Sequence, residues 1–275
     1  MNPARVRIEL ADHVATVTMV RADKHNALDA SMFTGLLAAA GRLRTEPGLR
    51  AVVLHGAGKS FCSGLDVASF MSGPVSLDDL VAREEGQLGN MAQRAATDWA
   101  AVPVPVIAAI HGNCFGGGLQ IALGADLRIA APGAQLSVME VKWGLVPDMG
   151  ITQTLPRLVG IDRAKELTFT GRRVSGADAE RLGLVTSVAE DPLAAAQALA
   201  ADIAGRSPDA IRAAKQLYDR TWASMAPADA LLLETELQVG LMGSPNQLAA
   251  VTAAMTGGPG IFQDPALPDA VGARG

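Results

Sequence analysis

The sequence predicts an α/β protein, on three observations. Short apolar runs of strand length, residues 50–55 and 104–111, each end in glycine. Between them lie longer stretches with apolar residues at helical spacing, and beyond about residue 161 the helical pattern dominates. Finally, 275 residues with 49% hydrophobic and 19% charged side chains can bury a large core.

Each element has its own signal. Residues 5–10 and 14–20 alternate apolar and polar side chains around Ala11-Asp12-His13, the pattern of a half-buried hairpin. After a polar loop at 21–26, Asp29 can cap a helix running to residue 44. A polar-faced helix is expected over 76–99, then the strand at 104–111, a helix opened by residues 117–123, and a strand at 127–131. Helices are expected over 161–169, 193–204, 208–223 and 228–241, with one more strand at 184–188. The Gly-, Pro- and Ala-rich stretch 256–275 is expected to end in a loose tail. Residues 1–205 are expected to form the core and 206–275 a helical region.

Composition excludes several classes. A net charge of −5 with scattered Lys and Arg gives no field for nucleic acid. Cys62 and Cys114 are too few for a disulfide framework or a zinc cluster, and a reduced cytoplasmic compartment is expected. No leader and no membrane span are expected, because every apolar run is broken by Pro, Gly or charge. His13, His25, His55 and His111 fall into no metal-binding spacing, so no metal is expected.

Two glycine turns carry the chemistry. Gly56-Ala57-Gly58-Lys59-Ser60 imitates the end of a phosphate loop, but Val53 stands where that motif needs its first glycine. Phe61 likewise occupies the third glycine position of a dinucleotide fingerprint. Neither Ser60 nor Ser63 sits in a Gly-x-Ser-x-Gly elbow, which argues against an acyl-serine hydrolase. The chain continues as Phe61-Cys62-Ser63-Gly64-Leu65-Asp66, and the second strand runs into Cys114-Phe115-Gly116-Gly117-Gly118-Leu119-Gln120. At these paired turns the sequence resembles the enoyl-CoA hydratase/isomerase (crotonase) superfamily. Asp126-Leu127-Arg128, Gly144-Leu145-Val146-Pro147 and Lys24-His25-Asn26-Ala27-Leu28 extend the resemblance over nearly the whole chain.

The resemblance implies a crotonase-like spiral of ββα units with a C-terminal helical trimerisation region, assembled as a homotrimer or dimer of trimers. The apolar residues Ala228, Leu231, Leu232, Leu233, Leu237, Val239 and Leu241 suit such an assembly. It also implies an acyl-CoA thioester substrate, with no cofactor beyond the CoA that the substrate carries. The backbone N–H groups of Leu65 and Gly117 would form an oxyanion hole, glycine allowing the close approach. Asp23, Lys24, His25, Ala27, Lys59 and Phe61 would line the CoA path, with Ser63, Gly64, Asp66 and Gly116 also among the substrate- and CoA-binding residues.

The acid–base set departs from the family's hydratases, which carry two glutamates facing the substrate. Gln120 stands at the first position and Glu140 at the second. An amide transfers no proton, so Gln120 is expected to position water or hydrogen-bond the thioester region. Asp148 stands where hydratases carry glycine and where dienoyl-CoA isomerases and a haloaryl-CoA dehalogenase carry aspartate. Two carboxylates beside one acyl chain can move a proton between carbons, which points to isomerisation with Glu140 and Asp148. Three alternatives stay open: Glu140 as a solvated carboxylate at a strand end, Asp148 as a turn or helix N-cap residue, and a hydratase or a non-catalytic acyl-CoA-binding homologue in place of an isomerase.

Overall fold

The structure, a computed structural model, describes residues 4–72 and 77–265. Strands β1 (Val6–Ala11) and β2 (Val14–Met19) form the predicted hairpin. Asp12 and His13 both take positive φ at its tip, residue types that tolerate the left-handed region. Helix α1 (Ala30–Leu43) opens where expected, with Met32 N–H donating to Asp29 Oδ1 at 2.8 Å. Strand β3 (Ala51–Gly56) then runs into the first glycine turn.

The expected helix at 76–99 is not one helix. Its first residue, Ser76, lies outside the described residues. Two short helices, α2 (Val67–Ser72) and α3 (Leu77–Val81), precede a break, and α4 (Met91–Thr97) starts afresh. Gly86 takes φ +78 in the gap, and Asn90 and Gln93 form a reciprocal capping box at 2.8 and 3.0 Å. A strong start signal inside an apolar pattern thus overrides the periodicity.

Next come β4 (Val106–Ile110), β5 (Asn113–Phe115), α5 (Gly117–Leu123), β6 (Leu127–Ala130) and β7 (Gln135–Ser137). A 3-10 turn over Glu140–Trp143 leads to α6 (Ile151–Val159) and α7 (Ile161–Thr170). Then follow β8 (Val174–Ser175), α8 (Gly176–Leu182), β9 (Ser187–Val188) and α9 (Pro192–Ala204). Helices α10 (Pro208–Ser224), α11 (Pro227–Leu241) and α12 (Pro245–Thr256) close the described chain. Helices α8 and α12 leave no clear period in the sequence, and the strand expected at 184–188 shrinks to the two residues of β9.

One six-stranded sheet has the order β1-β2-β3-β4-β6-β9, parallel apart from the first pair. A second, smaller sheet joins β5, β7 and β8. Alternate residues of the large sheet serve two cores. Ala51, Val53, Ile107, Ala109 and Ile129 pack on Ala196 and Ala200 of α9. Val52, Leu54, Ala108 and Ile110 face Phe33, Phe61 and Trp99 on the other side. Burial on both faces explains why β3 and β4 read as continuous apolar runs. The architecture is the expected α/β winding of strand–strand–helix units followed by helices.

The first part of that last stretch is anchored. Asn246 Nδ2 donates to Gln263 O at 3.1 Å, and the Arg50 guanidinium reaches Phe262 O at 3.3 Å and Asp264 Oδ1 at 3.2 Å. The chain through residue 264 is therefore tied to the core by side-chain bonds that composition does not reveal. The remainder of that tail, residues 266–275, lies outside the described residues.

Candidate active site

The two glycine turns lie back to back. Cys62 N–H donates to Asn113 O at 3.0 Å and Phe115 N–H to Cys62 O at 3.0 Å, joining the strand exits. A Cβ on Gly118 would lie 2.6 Å from Cys62 O, a distance no side chain tolerates against backbone. Gly64 takes φ +92 and packs against Phe115 O. Glycine is thus required at the points where the two turns touch.

The amide of Leu65 has a defined direction. Leu28 N–H donates to Gly64 O at 2.8 Å and Asp66 N–H donates to Leu28 O at 3.0 Å, a parallel bridge centred on Leu65. The central residue of such a bridge turns its own amide away from the partner strand. Gly117 is the first residue of α5, where an N–H has no acceptor within the helix and the helix dipole is positive. Its Cα lies so close to Leu28 Cδ1 and Met149 Sδ that an added Cβ would stand 2.8 Å from each.

Glu140 sits directly over this turn. Pairing of β5 with β7 brings Gly116 N–H to Ser137 O at 3.0 Å, and the 3-10 turn that follows opens on Glu140. Its Oε1 would stand 3.3 Å from a Cβ on Gly116. Gln120, 2% exposed, donates from Nε2 to Glu140 Oε1 at 2.7 Å and accepts Met149 N–H on Oε1 at 2.8 Å. Glu140 Oε2 is buried with no hydrogen-bond partner. Burial pushes the Glu140 carboxyl above the ordinary value, Gln120 acts downward, and the charge of Asp148 adds upward. The solvated-carboxylate alternative for Glu140 is thereby removed.

Asp148 stands exposed at the rim, and the protein around it still desolvates its carboxyl enough to raise the pKa. Asp148 precedes Met149, whose N–H is bonded to the same Gln120 amide that binds Glu140, and its negative charge acts upward on the Glu140 carboxyl. The capping alternative for Asp148 fails, because α6 starts behind Gly150, in the left-handed region and with no side-chain cap.

The expected CoA segments meet. Asn26, fully buried, donates from Nδ2 to Ala57 O at 2.9 Å and Ser60 O at 2.8 Å, while its Oδ1 accepts Arg21 N–H at 2.9 Å. Ser63 N–H donates to His25 O at 3.0 Å, and His25 Nδ1 pairs with Ser60 Oγ at 3.0 Å. Asp23, Lys24, His25 and Lys59 are exposed along this seam, and Ala27 and Ser63 are half-buried. Phe61 corrects the expectation: it is 0% exposed and belongs to the main core, so its ring faces no ligand path. An aromatic that follows a buried strand is drawn inward by its own apolar area. Asp66 is engaged by Arg21 at 2.7 Å; burial pushes its pKa up, but the Arg21 bond and charge outweigh it and hold it low.

Sequence reasoning missed the anchoring roles of Arg21 and Asn26. Arg21 also donates to Ala27 O at 2.9 Å, so one side chain holds the loop from both ends. A buried Asn beside exposed polar neighbours leaves no periodic mark. Cys62 and Cys114 are buried free thiols, and burial pushes Cys62 up to about 12, which leaves them poor nucleophiles. Among the described residues no group of three His, Cys, Asp or Glu side chains could hold a metal ion, and no helix is long and apolar enough to cross a membrane.

Fold and turns together define a wound α/β protein with two abutting glycine turns beneath a buried carboxylate. A family model described as enoyl-CoA hydratase/isomerase matches residues 9–248, and the chain belongs to that family, a family of enzymes within the crotonase superfamily. The mitochondrial enoyl-CoA hydratase domain-containing protein 2 of Bos taurus is 39% identical over 217 residues, 75% of this chain and 70% of that protein. The mitochondrial Delta(3,5)-Delta(2,4)-dienoyl-CoA isomerase of Rattus norvegicus is 37% identical over 211 residues, 74% of this chain and 64% of that protein. The crystal structure of an enoyl-CoA hydratase from Bacillus anthracis matches with a TM-score of 0.83 at 30% identity, over 94% of this chain and 98% of that one.

Proposed function

We propose that this enzyme moves a double bond within an enoyl- or dienoyl-CoA thioester in fatty acyl-CoA metabolism. The observation that carries the reading is the acid–base set: Glu140 with one free buried oxygen, Asp148 next to the Met149 that shares the Gln120 amide with Glu140, and that amide standing where a second glutamate would hold water. The dienoyl-CoA isomerase among the relatives supports the same direction.

In this mechanism the thioester oxygen accepts from the Leu65 and Gly117 N–H groups. Each preorganised donor is worth roughly 2.7–4 kcal/mol as negative charge develops on that oxygen. Glu140 removes the proton next to the conjugating carbonyl system. The proton is returned further along the acyl chain, by Asp148 or by Glu140 itself. Asp23, Lys24, His25 and Lys59 line the path of the CoA moiety, whose charge suits the Lys side chains. No metal or cofactor beyond CoA enters the reaction. The reading includes a homotrimer or dimer of trimers in the cytoplasm.

The test mixes the purified protein with 3-hexenoyl-CoA, a 3,5-dienoyl-CoA and crotonyl-CoA and follows the absorbance of the conjugated thioester. Isomerisation is expected to raise the absorbance with 3-hexenoyl-CoA and change it with the dienoyl substrate. Rapid loss of absorbance from crotonyl-CoA alone would mean hydration with Glu140 as sole base, the second reading, which the hydratase relatives favour. No change with any of the three would support a non-catalytic acyl-CoA-binding homologue.

A further inference from the structure

Gln120 joins two separate arms of the site through a single amide. Its Nε2 donates to Glu140 Oε1, on the 3-10 turn that follows β7, and its Oε1 accepts the backbone N–H of Met149, the residue next to Asp148. Both bonds are short, at 2.7 and 2.8 Å, and the Gln120 side chain is almost fully enclosed. The amide cannot be flipped without loss, because a reversed group would set its oxygen against the Glu140 carboxylate and its NH2 against an N–H donor. A glutamate here would set a second acceptor against Glu140 Oε1 unless one carboxyl were protonated.

We propose that Gln120 is a positioning residue that clasps the Glu140 arm to the Met149 backbone, so that Glu140 presents Oε2 alone to the substrate and Asp148 is kept at a fixed separation from it. The departure from a second glutamate then has a purpose. Oε1 is occupied by a donor, Oε2 is left bare, and the water-holding pair of a hydratase is replaced by a fixed base with a second carboxylate nearby. Asp148 is the charged side chain whose field acts on Glu140, and the Gln120 donor works against it by favouring the ionised form. This inference rests on Glu140 being the base.

The experiment labels every glutamate with 13C at Cδ, assigns Glu140 by its loss in Glu140→Gln, and titrates the wild type, Gln120→Met and Gln120→Glu. With the donor gone in Gln120→Met, Glu140 is expected to titrate at higher pH than in the wild type. In Gln120→Glu the two carboxyls are expected to share a proton, which also moves the Glu140 signal upward. On 3-hexenoyl-CoA, Gln120→Met is expected to lose about tenfold to a hundredfold in kcat, since small misplacements of a reacting group cost that much, with KM within about twofold. Its acid limb should move to higher pH along with the NMR midpoint. Unchanged Glu140 titration in Gln120→Met would overturn the proposal, as would a raised KM with kcat intact. If that variant does not fold, an unshifted Glu140 in Gln120→Glu overturns it equally. A wild type inactive on both 3-hexenoyl-CoA and the dienoyl-CoA would refute the isomerase reading instead, while the titration still decides the clasp.

Discussion

Glu140 has two unlike oxygens, one bonded to Gln120 and one buried and bare, and that asymmetry has a cost in stability. A carboxyl whose folded pKa is raised binds its proton more tightly in the native state than in the unfolded chain. Stability therefore falls as pH rises from the ordinary glutamate value through the raised one. Glu140→Gln is expected to abolish turnover and to stabilise the fold at neutral pH, because the variant no longer holds a buried charge. The gain should vanish in acid, below both pKa values. Thermal melts from acid to neutral pH check the sign, and a variant less stable than the wild type at neutral pH contradicts it. The same raised pKa sets the activity profile: a base must be ionised, so kcat is expected to drop in acid along a limb above the ordinary carboxylate range. Asp148→Asn is expected to lose at least about tenfold in kcat, a floor beneath general acid–base contributions of roughly 10²–10⁴. Full activity in that variant would leave Glu140 as a single base.

At the scale of elements, the site depends on how closely two turns approach. Gly118→Ala would drive a Cβ to within 2.6 Å of Cys62 O and 2.7 Å of Cys62 Cβ, and backbone cannot retreat as a flexible side chain can. The expected result is loss of most activity with a destabilisation of about 1–3 kcal/mol, as for overpacked cores, read from urea midpoints and kcat together. A second element-level link ties α10 to the sheet. Lys215 Nζ, on a side chain 6% exposed, donates to Asp126 Oδ2 at 2.7 Å and to Val104 O at 3.1 Å, while Asp126 Oδ2 also accepts Val106 N–H at 2.7 Å. Lys215→Met leaves a carboxylate at the strand entrance without its cation. A loss of about 3 kcal/mol is expected, the low end for breaking a buried pair because Asp126 keeps some solvent. A urea midpoint equal to that of the wild type would show the pair to be dispensable.

Over the whole molecule, the C-terminal helices are not packed as a finished surface. Leu233 is the buried residue of α11, whereas Leu231, Leu232 and Val239 are 61%, 56% and 63% exposed, and Trp222 of α10 is 68% exposed. Trp143, Leu145 and Val146, between Glu140 and Asp148, are exposed as well. Exposed apolar area of this extent suits the proposed trimer or dimer of trimers. Sedimentation equilibrium at micromolar concentration is expected to give three or six times the chain mass. Only monomer at that concentration would refute the assembly.

Some of this protein was determined by the sequence alone, and the reason is local. Period-two alternation in β1 and β2, the Asp29 cap of α1 and the apolar runs of β3 and β4 each depend on neighbours a few residues away. The paired glycine turns were legible because close backbone approach admits only one residue type. Gln120, Glu140 and Asp148 could be singled out by position and chemical type. Their relations could not, because Gln120 reaches Met149 across 29 positions and Glu140 across 20, and no period in the chain encodes such distances. Tertiary structure alone decided that Phe61 faces the core, that Asn26 and Arg21 pin the loop, that the tail is held by Arg50 and Asn246, and that the helix at 76–99 breaks. Each of these is a contest between burial and hydrogen bonding, settled by partners far away in sequence and adjacent only after the chain has wound.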